Sequence, residues 1–297
     1  MIRRYLTLII LTLTILLFSN NIFANDLIAM KQKTSPKIKR NVITLPYEAY
    51  VVADAETGEV LEGLNIMHGH PQASLTKIML ACVIVDKIEA GELQLTDQIT
   101  ASKKATKMGG TSVFLKAKET FTLEELMQAV LVQSANDAAY AIAEHVAGSS
   151  DSFVNIMNQK ANSLGMNSTV FYSVHGLPPV KGGHDNITSC NDMILLAQEA
   201  LKSQKIMEWA SIERTTFRNG TLIIHNHNRL LGKVPEVDGI KTGFTRRAGF
   251  NIVATGKNDE RRIIVVVLGS PEHRIRDNFA TEKFKEYLVI KMADVSE

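Results

Sequence analysis

Net charge is nearly missing from this sequence. Of its 297 residues, 33 are Lys or Arg and 31 are Asp or Glu. Arg3 and Arg4 belong to a short basic start, so the remainder is close to neutral and nothing argues for nucleic acid as a partner. Cysteine is scarce too. Cys82 and Cys190 allow at most one disulfide and stand in no metal-ligand spacing; Cys82, inside an apolar run, is expected to be a buried free thiol. His175, His184 and Asp185 fall in a loop at irregular spacing, so no metal and no cofactor is expected. The continuous apolar stretch near the start, Leu6 to Phe18, is short for a bilayer span of roughly 20 residues. Internal repeats and low-complexity tracts are also lacking.

What is present begins with a leader. Arg3 and Arg4, the Leu6–Phe18 stretch and Ile22-Phe23-Ala24 have the form of a secretory signal peptide over residues 1–24, which predicts a periplasmic or other extracytoplasmic location. Residues 25–45, with Lys31, Lys33, Lys37, Lys39 and Arg40, read as a flexible lead-in whose charges are solvated. The apolar content, 45%, is ample for a core in the remaining residues 46–297.

Periodicity predicts strands first. Ala49 to Asp54 and Glu59 to Leu61 flank turn residues and read as a hairpin. Ala73 to about Ile88 reads as a buried helix ended by Gly91. Thr122 and Glu125 form a capping-box signature for a helix running toward Gln133, and further helices follow near Asp137, over Ser152–Leu164 and over Asp192–Lys202. Strand character returns at Arg214–Asn226 around Asn219-Gly220, at Gly249–Thr255 and at Arg262–Leu268, before a closing helix over Arg274–Ile290. Strands, a helical block and strands again predict an α/β (α+β) fold: a mostly antiparallel sheet from both chain ends, with a helical subdomain at about 95–210 inserted between them.

Three short motifs carry chemistry. Ser74 and Lys77 are three apart in the first helix, on one face, so the amine can take the hydroxyl's proton. One such pair arises easily by chance. Its weight comes from Ser134-Ala135-Asn136 and Lys241-Thr242-Gly243, which follow in a fixed order. With these go Ser163-Leu164-Gly165-Met166, His175-Gly176-Leu177, Asn228-Arg229-Leu230-Leu231 and Val237-Asp238-Gly239-Ile240. From about Tyr47 to Leu288 the chain resembles the low-molecular-mass penicillin-binding proteins, D-alanyl-D-alanine carboxypeptidases of the penicillin-recognising serine hydrolase fold.

That resemblance implies a β-lactamase/transpeptidase-like domain acting on peptidoglycan stem peptides, with β-lactams as covalent inhibitors. It makes Ser74 the nucleophile and Lys77 its base. Ser134 would relay a proton to the leaving amine, and Asn136 would hold both the substrate amide and Lys77. Lys77 must be neutral to act, so its pKa must fall through burial and a nearby positive charge, for which Lys241 is the expected source. Lys241 and Thr242 would line the strand edge where substrate docks, with Gly243 allowing close approach. The backbone N–H groups of Ser74 and Phe244 are the implied oxyanion donors, worth about 3–4 kcal/mol each. Arg276, rather than Arg274, falls where the family recognises the substrate carboxylate, by bidentate geometry.

Competing readings share the motifs. A class A β-lactamase needs a glutamate on an E-x-x-L-N loop, and this region reads Ser168-Thr169-Val170-Phe171-Tyr172. A D,D-endopeptidase cutting cross-links remains open: Phe244 after Lys-Thr-Gly occurs there, and the chain ends at Glu297 without the β-rich domain and membrane-binding helix of many carboxypeptidases. No C-terminal anchor domain and no stable membrane anchor are therefore expected. A non-catalytic wall-binding protein is disfavoured by the intact motifs. Among other residues, Phe171 and Tyr172 are expected in the core, His225 and His227 alternating on a strand and facing solvent or the cleft edge, and Lys103, Lys104 and Lys107 on a solvated loop near the cleft mouth.

Overall fold

A computed structural model describes residues 46–179 and 182–289. The expected leader at 1–24 and the whole of the 25–45 lead-in lie outside them. Five strands form an antiparallel sheet: β1 (Ala49–Asp54), β2 (Val60–Leu64), β9 (Val237–Thr245), β10 (Gly249–Lys257) and β11 (Arg262–Ser270), in the order β2-β1-β11-β10-β9. Both chain ends therefore build one sheet, joined where Val51 pairs with Val266 across β1 and β11.

The central strands are apolar on both faces, which explains runs such as Ile263 to Leu268. Val51, Ala53, Ile264, Val266 and Leu268 point to the helical block, while Tyr50, Val52, Ile263, Val265 and Val267 face the opposite layer. That second layer is the closing helix. It ends at Phe284 and continues as a wider turn over Lys285–Val289, so the single helix expected over Arg274–Ile290 is divided.

Between β2 and β9 the chain is mostly helical: α1 (Thr76–Glu89), α2 (Leu123–Leu131), α3 (Asn136–Ala147), α4 (Ser150–Ser163), α5 (Cys190–Leu201) and α6 (Gln204–Ser211); the closing helix is α7 (His273–Phe284). Short ladders join β3 (His70–Pro71) to β6 (Ile187–Thr188), β4 (Gln98–Thr100) to β5 (Thr120–Thr122), and β7 (Arg214–Phe217) to β8 (Leu222–His225). Every residue of α1 from Thr76 to Val85 is buried, so this helix is the axis of the core. The capping box at α2 is fully formed: Thr122 accepts from Glu125 N at 3.2 Å and the Glu125 carboxylate accepts from Thr122 N at 3.0 Å. Cys82 and Cys190 are buried free thiols, and burial raises both pKa values. Among the described residues no helix is long and apolar enough to cross a membrane.

Candidate active site

Ser74 sits in a tight turn, Ala73–Leu75, that runs directly into α1. Ala73 has φ 50°, a left-handed conformation that costs an L-residue and is held from outside. Thr76 Oγ1 donates to the Ala73 carbonyl at 2.8 Å, and Asn186 Nδ2 donates to Thr76 Oγ1 at 2.9 Å. Gly176 packs so closely that any Cβ there would overlap the Ala73 carbonyl.

One helical turn later Lys77 points back at this serine. Its Nζ lies 3.0 Å from Ser74 Oγ, 2.7 Å from Asn136 Oδ1 and 2.9 Å from the His175 carbonyl. A neutral amine has two N–H bonds and one lone pair. The two oxygens that can only accept, on Asn136 and His175, take the N–H bonds and leave the lone pair facing the serine hydroxyl. Burial is the largest cause driving the Lys77 pKa well below its ordinary value, followed by Lys241; Asp137 pulls the other way. Both expected causes, burial and the Lys241 charge, are present, with enclosure the larger. Lys241 is itself buried beside Arg276, and its own pKa falls to about 7.

The middle motif bridges two helices. The expectation of a helix extending toward Gln133 is shortened, because α2 stops at Leu131. Ser134 then takes φ 63°, and Asn136 opens α3. Asn136 is fixed at three points: its Oδ1 on Lys77, its Nδ2 on the Gly109 carbonyl at 2.8 Å, and its backbone N–H on the Thr111 carbonyl at 2.8 Å.

The third motif lies on β9, whose outer side carries no further strand among the described residues. Thr242 pairs with Ile252 and Gly243 with Asn251 on β10. A Cβ on Gly243 would come within 2.7 Å of the Gln72 carbonyl and 3.1 Å of Ser74 N, so only glycine lets this strand approach the serine. Phe244 is 53% exposed and stacks on Phe250 with ring centroids 4.1 Å apart.

Ser74, Ser134, Thr242, Gly243, Phe244 and Arg276 line one cleft of about 410 Å³. Arg276 is only 3% exposed; its Nε and Nη2 donate to Asp277 Oδ1 at 2.9 and 2.6 Å and its Nη1 to the Asn251 carbonyl at 3.1 Å. Arg274 is exposed. The structure thus brings all nine residues singled out from the sequence to one place, with Lys77, Asn136 and Lys241 forming its buried floor.

Other placements differ from expectation. Tyr172 is 49% exposed, tilted against His184, while Phe171 alone enters the core. β8 ends at His225, so His227 lies beyond the strand, though it lines the cleft as expected; enclosure by the walls, then Lys241, Lys77, Arg229 and Arg276, lowers its pKa to about 4. Four contributors were missed: the His175 and Gly109 carbonyls, Asp137 and Asn186. The carbonyls have no sequence signature at all. Asp137 accepts backbone N–H groups of Val113 and Leu115 at 3.2 and 3.0 Å, and Asn186 those of Tyr172 and Ser173 at 2.7 and 2.9 Å.

Residues 33–272 match the D-alanyl-D-alanine carboxypeptidase sequence family. The chain belongs to that family. It is 38% identical over 237 residues to the D-alanyl-D-alanine carboxypeptidase DacC of Escherichia coli, covering 77% of this chain and 58% of that one. It is 34% identical over 247 residues to DacF of Bacillus subtilis, covering 82% of this chain and 60% of the relative. The chain therefore spans about three fifths of the length of these family members. Penicillin-binding protein D2 of Listeria monocytogenes, solved with ampicillin bound, has the same fold, with TM-score 0.72 and 29% identity over 80% of this chain and 96% of that one.

Proposed function

We propose that the protein is a serine D,D-peptidase that removes the terminal D-alanine from peptidoglycan pentapeptides. The observation that carries this reading is the Lys77 amine, enclosed with no carboxylate partner among the described residues, 3.0 Å from the Ser74 hydroxyl. Ser74 would attack the carbonyl of the penultimate D-alanine as its proton passes to Lys77. Backbone N–H groups of Ser74 and Phe244 would hold the oxyanion. Ser134 would hand a proton to the departing D-alanine amine, whose carboxylate would face Thr242 and Arg276. The substrate backbone would lie along β9 beside Lys241, with Asn136 holding its amide. Water would then release a shortened stem from Ser74.

A β-lactam would enter the same acylation and remain attached, since this chain lacks the E-x-x-L-N glutamate of class A β-lactamases. The leader at residues 1–24 would deliver the catalytic domain, 46–297, to the periplasm or cell exterior, where its substrate lies. A second reading, D,D-endopeptidase activity on cross-links, is favoured by one feature: the cleft continues past Arg276 to Arg229 and His273.

The test is incubation of purified protein with a muropeptide mixture, read by mass spectrometry, with Ser74→Ala as control. Loss of one alanine from pentapeptides supports the first reading, and conversion of cross-linked dimers to monomers the second. Activity surviving in Ser74→Ala would sink both.

A further inference from the structure

Beyond Arg276 the cleft holds charge that this chemistry leaves unused. Arg229 lines it from the segment after β8, and His273 faces it from the first turn of α7. His273 and Arg276 are three residues apart on one helix and share a face. Arg229 Nη1 lies 3.1 Å from Nδ1 and 3.2 Å from Nε2 of His273. A nitrogen nearly equidistant from both ring nitrogens lies on the lone-pair axis of neither, so the imidazole satisfies it poorly. Arg229 is exposed, and among the described residues it pairs with no carboxylate.

The charge balance of the cleft points the same way. None of its described lining residues is acidic. Arg229, Arg276 and Lys241 are the cations at this end, and Asp277, bound to Arg276 and 4.0 Å from His273 Nδ1, is the carboxylate among the described residues that answers them. Lys77 is neutral. One incoming carboxylate therefore leaves positive charge uncompensated while Lys241 is protonated, and a second one closes the balance. The wall between is apolar: Phe250 stacks under Phe244 and meets His273 edge-on at 5.8 Å, a surface for the methylenes of a longer leaving group.

We propose that Arg229 and His273 form an outer anion subsite that takes a second carboxylate on the leaving group. The cleft then accepts a leaving residue that carries a second free carboxylate, in addition to D-alanine. This rests on the serine D,D-peptidase reading and specifies which leaving groups that site admits.

Competition against a fluorescent penicillin tests it. Two acetylated peptides, one ending D-Ala-D-Glu and one ending D-Ala-D-Gln, differ by a single charge on the leaving residue. In the wild type the D-Glu peptide halves labelling at about a fivefold lower concentration, the scale of an exposed ion pair, and the advantage shrinks in high salt. In Arg229→Gln the ratio falls to about one, and Arg229→Lys keeps part of it. The ratio is taken within each variant, so any change in labelling rate cancels. No preference in the wild type, or a preference that survives Arg229→Gln, overturns the subsite. No labelling at all overturns the D,D-peptidase reading instead, and the subsite with it.

Discussion

The amine of Lys77 lies 2.7 Å from the side-chain oxygen of Asn136, closer than to the serine it faces, and among the described residues neither side chain pairs with a carboxylate. An amide oxygen orients an amine without holding a proton on it, which a carboxylate would do. Asn136→Asp tests that distinction. The new charge favours the ammonium form, so the acid limb of penicillin acylation moves upward by roughly one to three pH units. Acylation rates measured across pH would show it. A limb that stays in place means Asn136 is only a spacer.

Gly243→Ala puts a methyl into the gap between β9 and the Ser74 turn, 2.7 Å from the Gln72 carbonyl. The strand must retreat. Stability is expected to fall by about 1–3 kcal/mol, and acylation by about a hundredfold, since a displacement near 1 Å is enough for that loss. Denaturant unfolding and penicillin labelling read the two effects separately, and a variant with normal labelling would disprove the close-approach argument.

His175 links pH to stability. Burial, then Lys77, lowers its pKa from the ordinary 6.5 to about 3. The unfolded chain therefore takes up a proton below pH 6.5 that the folded one refuses until about pH 3. Its contribution to stability is lost progressively as pH falls through that window and is fully present above it. His175→Asn keeps an acceptor for the Leu177 N–H, now 3.1 Å from the ring Nδ1. The drop in melting temperature between neutral and acid pH should be smaller in this variant; an unchanged drop assigns the effect elsewhere.

Thr122→Ala removes the cap of α2 and its reciprocal bond with Glu125. A loss of about 1 kcal/mol is expected in urea unfolding, with penicillin labelling retained, because α2 ends before Ser134. Unaltered stability would mean that packing alone sets this helix start.

Much of this architecture was legible along the chain because its signals are local. Alternation and turn chemistry marked β1, β10, β11 and the β7–β8 hairpin, and the capping box marked α2. Tyr172 was misplaced because a neighbour's burial says little about its own: Phe171 enters the core while Tyr172 turns out onto His184. The short β3–β6 and β4–β5 ladders carry only two or three residues per strand, too few for any periodicity to register.

By itself the sequence determined which groups could do chemistry: two lysines, two serines, an asparagine and an arginine, at spacings that put Lys77 one turn from Ser74. Only the tertiary structure decided their states. Burial in α1 drives the Lys77 pKa down more than its neighbour Lys241 does, and burial, then Arg276, brings Lys241 to about 7. The His175 carbonyl that completes the Lys77 cage comes from a segment far away in the chain. Desolvation depends on every atom that encloses a group, and a backbone carbonyl is the same in every residue, so neither leaves a mark in the order of side chains.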